Sequence, residues 1–197
     1  VAPSRGLGDV YKRQGHITML RRTFIASAVL FATAAAAPAA FAFTEGKDAD
    51  YITLEKPLPG GEGKLVKVWS YDCPFCFKFD VGVDPKMVPL AEKATGLKFD
   101  MVHIETKGKY GRAGSELFAW CQLRDKAAGI TDWEDPKSIF KKAKDAIYKA
   151  YHRQGERWAS GEAAFLKTGL DAIGATAEEF EAARKTPEVQ QLADSWK

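Results

Sequence analysis

Two cysteines, Cys73 and Cys76, stand three residues apart in "WSYDCPFCFKF", residues 69–79, with a proline directly after the first. Such a pair can exchange disulfides with another protein, supply half of a metal site, or form a short structural staple. If Cys73 caps a helix and Pro74 occupies its first turn, the Cys73 sulfur faces unpaired backbone N–H groups and the positive end of the helix dipole. That setting favours a thiolate over a thiol. Cys76 then lies one turn deeper on the same face, so the two sulfurs can close a small ring while the first stays open to attack. Disulfide exchange needs this asymmetry: an outside thiolate attacks the exposed sulfur, a mixed disulfide forms, and the second thiol resolves it. A zinc site would need two more ligands from Cys121, His103 or His152, and the sequence has no second C-x-x-C and no H-x-x-x-H. A staple across so short a loop would remove little entropy from the unfolded chain.

The elements that must position the pair can be read on either side of it. "KLVKVWSY", residues 64–71, is rich in β-branched and aromatic residues and predicts a buried or half-buried strand ending at Asp72. The cysteine motif opens a helix through about Val81. A second, short or kinked helix starts at Asp84 and Pro85, with Pro89 soon after. "LKFDMVHIE", residues 97–105, alternates apolar and polar positions after Gly96 and predicts a second strand. Strand, helix and strand make a β-α-β unit with parallel strands, and the cysteines sit where the first strand feeds the helix, the end at which chemistry collects in open α/β sheets. From Arg112 onward the pattern is helical. Leu117, Trp120 and Cys121 recur at helical spacing, as do Ile139, Phe140, Ala143, Ile147 and Tyr151, and then Phe165, Leu166, Leu170 and Ile173. "TAEE", residues 176–179, has capping-box spacing, and Thr186–Pro187 reads as the start of a last helix.

The 197 residues, 46% hydrophobic and 28% charged, suit one globular domain or one domain with an insertion. Five of the 29 Lys and Arg and one of the 26 Asp and Glu lie before residue 43, leaving 24 bases against 25 acids. That balance gives no electrostatic reason to expect nucleic acid as a partner. Residues 19–42 run from a methionine through two arginines and an apolar stretch to Ala40, Phe41 and Ala42, the order of a signal peptide cleaved after Ala42. "RRTFI" also partly matches a twin-arginine signal. Residues 1–18 precede that methionine and are expected to be upstream, non-native sequence. Export bears on the cysteines, because a disulfide persists outside the cytosol, and three cysteines are too few for a stapled scaffold.

"KLVKVWSYDCPFCFKF" resembles the active-site segment of the DsbA family of periplasmic thiol:disulfide oxidoreductases, and its C-P-F-C form resembles that of the DsbL branch. The likeness covers roughly residues 43–197. It implies an α/β, thioredoxin-like fold with an inserted helical domain: residues 43–110 would form the N-terminal part of the thioredoxin-like domain and 111–197 the insertion. It further implies that the family's C-terminal strands and helix, with a proline loop facing the cysteines, are absent from this chain, an expectation that agrees with a sheet of only two strands. By resemblance Cys73 is the catalytic nucleophile, Cys76 the resolving thiol, and Pro74 and Phe75 the dipeptide that tunes the potential. The redox-active disulfide is the only reacting group expected, with no cofactor and no metal. Typical members carry histidine where Phe75 stands, so the dipole and bases such as Lys78 are expected to carry more of the thiolate stabilisation. The implied activity is donation of disulfides to exported proteins in the periplasm. The implied partners are reduced polypeptides and a quinone-linked membrane oxidase of the DsbB/DsbI type, with the complete protein a monomer. A reductase or isomerase, or a thioredoxin-like module that binds metal or protein without turnover, are the alternatives. Cys121 and His103 read as structural, and the basic amphipathic stretch "KSIFKKAKDAIYKAYHR" as a helix packed on the core.

Overall fold

The computed structural model describes residues 44–46 and 50–197. The upstream and signal-peptide readings, residues 1–18 and 19–42, lie outside the described residues. Residues 44–46 and 50–52 belong to a separate unit from Thr53–Lys197. Within that small unit a parallel bridge joins Glu45 to Tyr51, and the Thr44 N–H donates to Asp50 Oδ2 at 2.9 Å.

In the larger unit the first strand, β1 (Lys64–Trp69), leads through α1 (Pro74–Gly82) and α2 (Asp84–Thr95) to β2 (Lys98–His103). The strands pair in parallel, with Lys64 opposite Lys98 and Trp69 opposite His103, as the β-α-β reading requires. The first strand ends at Trp69, three residues before the Asp72 that the sequence suggests. After Trp69 the chain turns, the Cys73 N–H bonding the Ser70 carbonyl at 3.2 Å, while Ser70 and Tyr71 stay buried beyond the strand. The α2 helix runs unbroken for 12 residues. Pro89 denies the Pro85 carbonyl its intrahelical partner, but both prolines are exposed, so water can serve that carbonyl.

Helices α3 (Gly111–Ala127) and α4 (Ile139–Tyr148) follow, then α5 (Glu162–Ile173), α6 (Ala177–Ala183) and α7 (Pro187–Asp194). Asp125 of α3 caps α4: it accepts the Ile139 and Phe140 N–H groups at 2.9 and 3.0 Å and the Ser138 hydroxyl at 2.6 Å. Ser138 in turn accepts the Lys141 N–H at 3.0 Å. At α6 the capping box is formed as read, with Glu179 N–H to Thr176 Oγ1 at 3.1 Å and Thr176 N–H to Glu179 Oε2 at 2.8 Å. Thr186 and Pro187 begin α7, as the sequence indicates.

The core lies between the inward face of the sheet and these helices. Trp69 is enclosed by Phe118, Tyr148 and Phe140, with ring centroids 4.9, 5.3 and 6.1 Å away. Leu117, Cys121, Ala143, Ile147, Phe165 and Phe180 are wholly buried. Burying each large side chain stabilises the fold by about 1.5–3 kcal/mol relative to exposure. Glu116 of α3 ties down the C-terminal helices. Its carboxylate accepts Arg112 Nε at 2.9 Å, Arg184 Nε at 2.8 Å and Gln190 Nε2 at 3.0 Å. Burial pushes Glu116 up, and the bonds from Gln190, Arg112 and Arg184 outweigh it, holding the carboxyl below the usual range.

Candidate active site

Cys73 is the N-cap of α1, with extended backbone angles of φ −78° and ψ 113°, and Pro74 follows in the first turn. Its sulfur accepts the Cys76 N–H at 3.2 Å, satisfying one of the donors that every helix start leaves open. Both cysteines are free thiols, and both are half-buried, so overall exposure does not separate them. Their environments do. Burial pushes the Cys76 thiol up, its hydrogen bond with Cys73 adds to the rise, and a backbone bond from Ser70 and the charge of Lys67 oppose it. Phe75 is 69% exposed between the cysteines, and Lys78 Nζ stands 5.7 Å from the centre of its ring.

The loop that delivers Cys73 is fixed from several directions. Ser70 Oγ donates to Asp72 Oδ1 at 2.6 Å, and the Tyr71 hydroxyl accepts the Tyr110 N–H at 2.9 Å. Tyr110 donates its own hydroxyl to the Trp158 carbonyl at 2.7 Å. The Tyr71 ring is seated against Gly108, where φ is +77° and any Cβ would fall 2.5 Å from the ring, so glycine alone fits. His152 Nε2 lies 2.8 Å from the Tyr71 carbonyl, and its ring stacks on Phe77 at 4.7 Å and 6°. Burial pushes His152 down, the bond to Tyr71 opposes this, and the positive charge of Arg157 adds to the fall.

Beneath the motif lies a buried charge cluster that sequence reading did not single out. Lys144 of α4 is wholly enclosed and bonds both carboxylate oxygens of Asp80 on α1, with Asp145 Oδ1 at 3.1 Å. Lys67 of β1 bonds Asp84 of α2 and lies 3.9 Å from Asp80. The signals were present. Lys67 occupies an inward position between Leu65 and Trp69, and Asp80 is four residues from Cys76, one turn along the same face of the helix. The Tyr148 hydroxyl is buried nearby with no hydrogen-bond partner, and burial, then the charges of Asp80 and the cysteines, raise its ionisation far above the ordinary phenol range. Asp80, Asp145 and Tyr148 edge a cavity of about 370 Å³ that reaches from Phe77 to Lys149 and Arg153.

The three side chains considered as further zinc ligands do not converge. His103 is enclosed with Nδ1 2.9 Å from Ser115 Oγ, Cys121 is in the core, and His152 is bonded at the loop. Among the described residues no group of three or more His, Cys, Asp or Glu side chains is assembled to hold a metal. Burial keeps His103 neutral, its ionisation pushed down to about 3, and pushes the Cys121 thiol well up. Both residues are therefore structural, as the sequence suggested.

The arrangement is that of a dithiol at a helix start, one sulfur receiving backbone N–H and the other held protonated below it. Known proteins resemble the chain as a whole. The chain is 53% identical over 174 residues to the thiol:disulfide interchange protein DsbL of Lelliottia amnigena, a match covering 87% of this chain and 76% of that one. It is 48% identical over 184 residues to the DsbL of Escherichia coli O6:H1, covering 92% and 78%. The crystal structure of Salmonella enterica serovar Typhimurium DsbL superposes with a TM-score of 0.69 at 51% identity, covering 79% of this chain and 76% of that one. No family model matches the chain.

Proposed function

We infer the function of this chain from the premise that it belongs to the DsbA family of thiol:disulfide oxidoreductases, within the DsbL branch. Its fold is the thioredoxin-like α/β fold of that family, and it is a thiol:disulfide oxidoreductase. Cys73 and Cys76 are the reacting pair in this reading, and the direction is oxidation of the substrate.

With the pair as a disulfide, a substrate thiolate attacks the Cys73 sulfur. The Cys73–Cys76 bond breaks, its electron pair leaves on Cys76, and a mixed disulfide joins the substrate to Cys73. A second substrate thiolate then attacks the substrate sulfur of that bond, and Cys73 departs with the electron pair. The substrate has lost two electrons and gained a disulfide, and the pair is left as two thiols after taking up two protons.

The observation that carries the oxidising direction is the Cys73 sulfur at the N-cap of α1, accepting the Cys76 N–H at 3.2 Å. A helix start stabilises the departing thiolate, and a stabilised reduced form makes the disulfide a stronger oxidant. The raised Cys76 thiol makes Cys76 the poorer leaving group in the first exchange, and its help comes only afterwards. Once released it holds its proton and attacks the mixed disulfide poorly, so the substrate is freed oxidised rather than reduced. Pro74 sets the first helical turn, and Phe75 beside the sulfurs offers apolar surface and no charge, the roles proposed for a potential-tuning dipeptide.

The partners consistent with this chemistry are reduced polypeptides in an oxidising compartment, the periplasm, to which the leader at residues 19–42 would direct the protein. Turnover also requires an acceptor for the two electrons, and a quinone-linked membrane oxidase of the DsbB/DsbI type has that chemistry. The test sets oxidative refolding of a reduced disulfide protein against reduction of insulin, using wild type and Cys73→Ser. Catalysed refolding that Cys73→Ser abolishes is expected. Faster insulin reduction than refolding would make the protein a reductase, and activity surviving in Cys73→Ser would remove Cys73 from the mechanism.

A further inference from the structure

Between α4 and α5 the backbone leaves the α-helical register: Lys149–Arg153 form a π-helical turn, closed by Gln154 N–H to the Lys149 carbonyl at 3.1 Å. Such turns cost regular hydrogen bonding and are frequent where a side chain must be aimed. Here the side chain it carries towards the redox loop is His152. Its Nε2 sits 2.8 Å from the carbonyl of Tyr71, and since a carbonyl can only accept, Nε2 carries the hydrogen. Its ring lies parallel to that of Phe77, 6° from coplanar at 4.7 Å. Tyr71 is two residues before Cys73, inside the turn closed by Cys73 N–H to the Ser70 carbonyl, and Phe77 directly follows Cys76. One imidazole from the helical region thus touches the chain on both sides of the cysteine motif, in a sequence where 81 residues separate it from Tyr71.

We propose that His152 is a positioning residue for disulfide exchange, clamping the Ser70–Cys73 turn so that the Cys73 sulfur stays at the α1 N-cap in the reduced protein. The clamp acts unequally on the two redox forms. In the disulfide form the covalent bond to Cys76 already fixes Cys73. In the dithiol form only the turn and the Cys76 N–H hold the sulfur in place. Removing the His152 donor frees the Tyr71–Asp72 peptide to rotate, which harms the dithiol form more and makes the pair a weaker oxidant. A contact serving stability alone would lower both forms together and leave their ratio unchanged.

This inference rests on Cys73 and Cys76 being the exchanging pair, and the test separates the two. The dithiol–disulfide equilibrium of the full-length protein is titrated against glutathione for wild type, His152→Phe and His152→Gln, with thermal midpoints of both redox forms. His152→Phe keeps a ring on Phe77 and loses the donor; His152→Gln keeps an N–H within reach of the Tyr71 carbonyl. His152→Phe is expected to move the equilibrium about fivefold towards the disulfide, the scale of one net hydrogen bond, and His152→Gln to stay within about twofold of wild type. An unmoved equilibrium in His152→Phe, or a His152→Gln shift as large as that of His152→Phe, overturns the clamp while leaving the exchange reading intact. A wild type that neither oxidises nor reduces substrate overturns both. Should His152→Phe not fold, His152→Met takes its place under the same criteria.

Discussion

The helical region and the β-α-β region use their apolar residues in opposite ways. On α3, Leu117, Phe118, Ala119 and Cys121 are fully enclosed, and helices α4 to α7 add Ile147, Phe165, Phe180 and Ala193 to the same core. On α1 and α2, Phe79, Val81, Met87 and Leu90 are each more than half exposed. The inward strand residues Trp69, Met101 and His103 are buried, and Trp69 and His103 pack on Phe118 of α3. Stability is therefore concentrated in the helices, while Cys73 and Cys76 are set at the seam, on a helix that itself buries little. The loop entering α1 is held from the helical side by Tyr110, Trp158 and His152. Reactivity is borrowed from one region and rigidity from the other.

This contrast can be broken by mutation, and the largest effect is expected in the helical core. Phe118→Ala should cost about 3–5 kcal/mol of unfolding free energy in urea, because the cavity lies among rigid neighbours. Next comes the charge cluster at the seam. Asp80→Asn leaves the enclosed Lys144 ammonium without its chief anion and should cost about 3 kcal/mol at pH 7, and a loss under about 1 kcal/mol would mean that Asp145 suffices alone.

An acid titration comes third. His103 titrates near 3 when folded and near 6.5 when unfolded, so below pH 6.5 the unfolded chain binds a proton that the folded one refuses. Stability should fall by about 2 kcal/mol between pH 7 and pH 5 from this residue alone, continuing to about pH 3. In His103→Gln that part of the slope should vanish, and an unchanged slope would assign it to other groups. The smallest effect is predicted on the exposed face, where Leu90→Ser should change stability by less than about 0.5 kcal/mol. A cost there approaching that of Phe118→Ala would show that this face is covered in solution and would erase the contrast.

What could be read in the sequence follows the range of the interactions involved. The strand before the cysteines, the capped helix they begin, the capping box at Thr176 and Glu179 and the helix start at Thr186 all depend on residues within about four positions of one another, and all are present. The thioredoxin-like fold and its family were legible from "KLVKVWSYDCPFCFKF". The end of β1 was not, because Ser70 and Tyr71 are as apolar in setting as a strand would make them, although the chain has already turned. Nor were the partners of Lys144 and His152. Asp80 lies 64 residues from one and Tyr71 81 residues from the other, and nothing local marks a lysine in a basic amphipathic helix as the one that goes inside.

The burial of Cys121 has a practical consequence at the bench. A bulky thiol reagent can reach the partly exposed Cys73 and Cys76 in the folded protein but meets the third sulfur only when the helical core opens. Counting modified sulfurs by mass would then time that opening without any engineered label: a third adduct dates the loss of the core, and the first two report on Cys73 and Cys76 in the same sample.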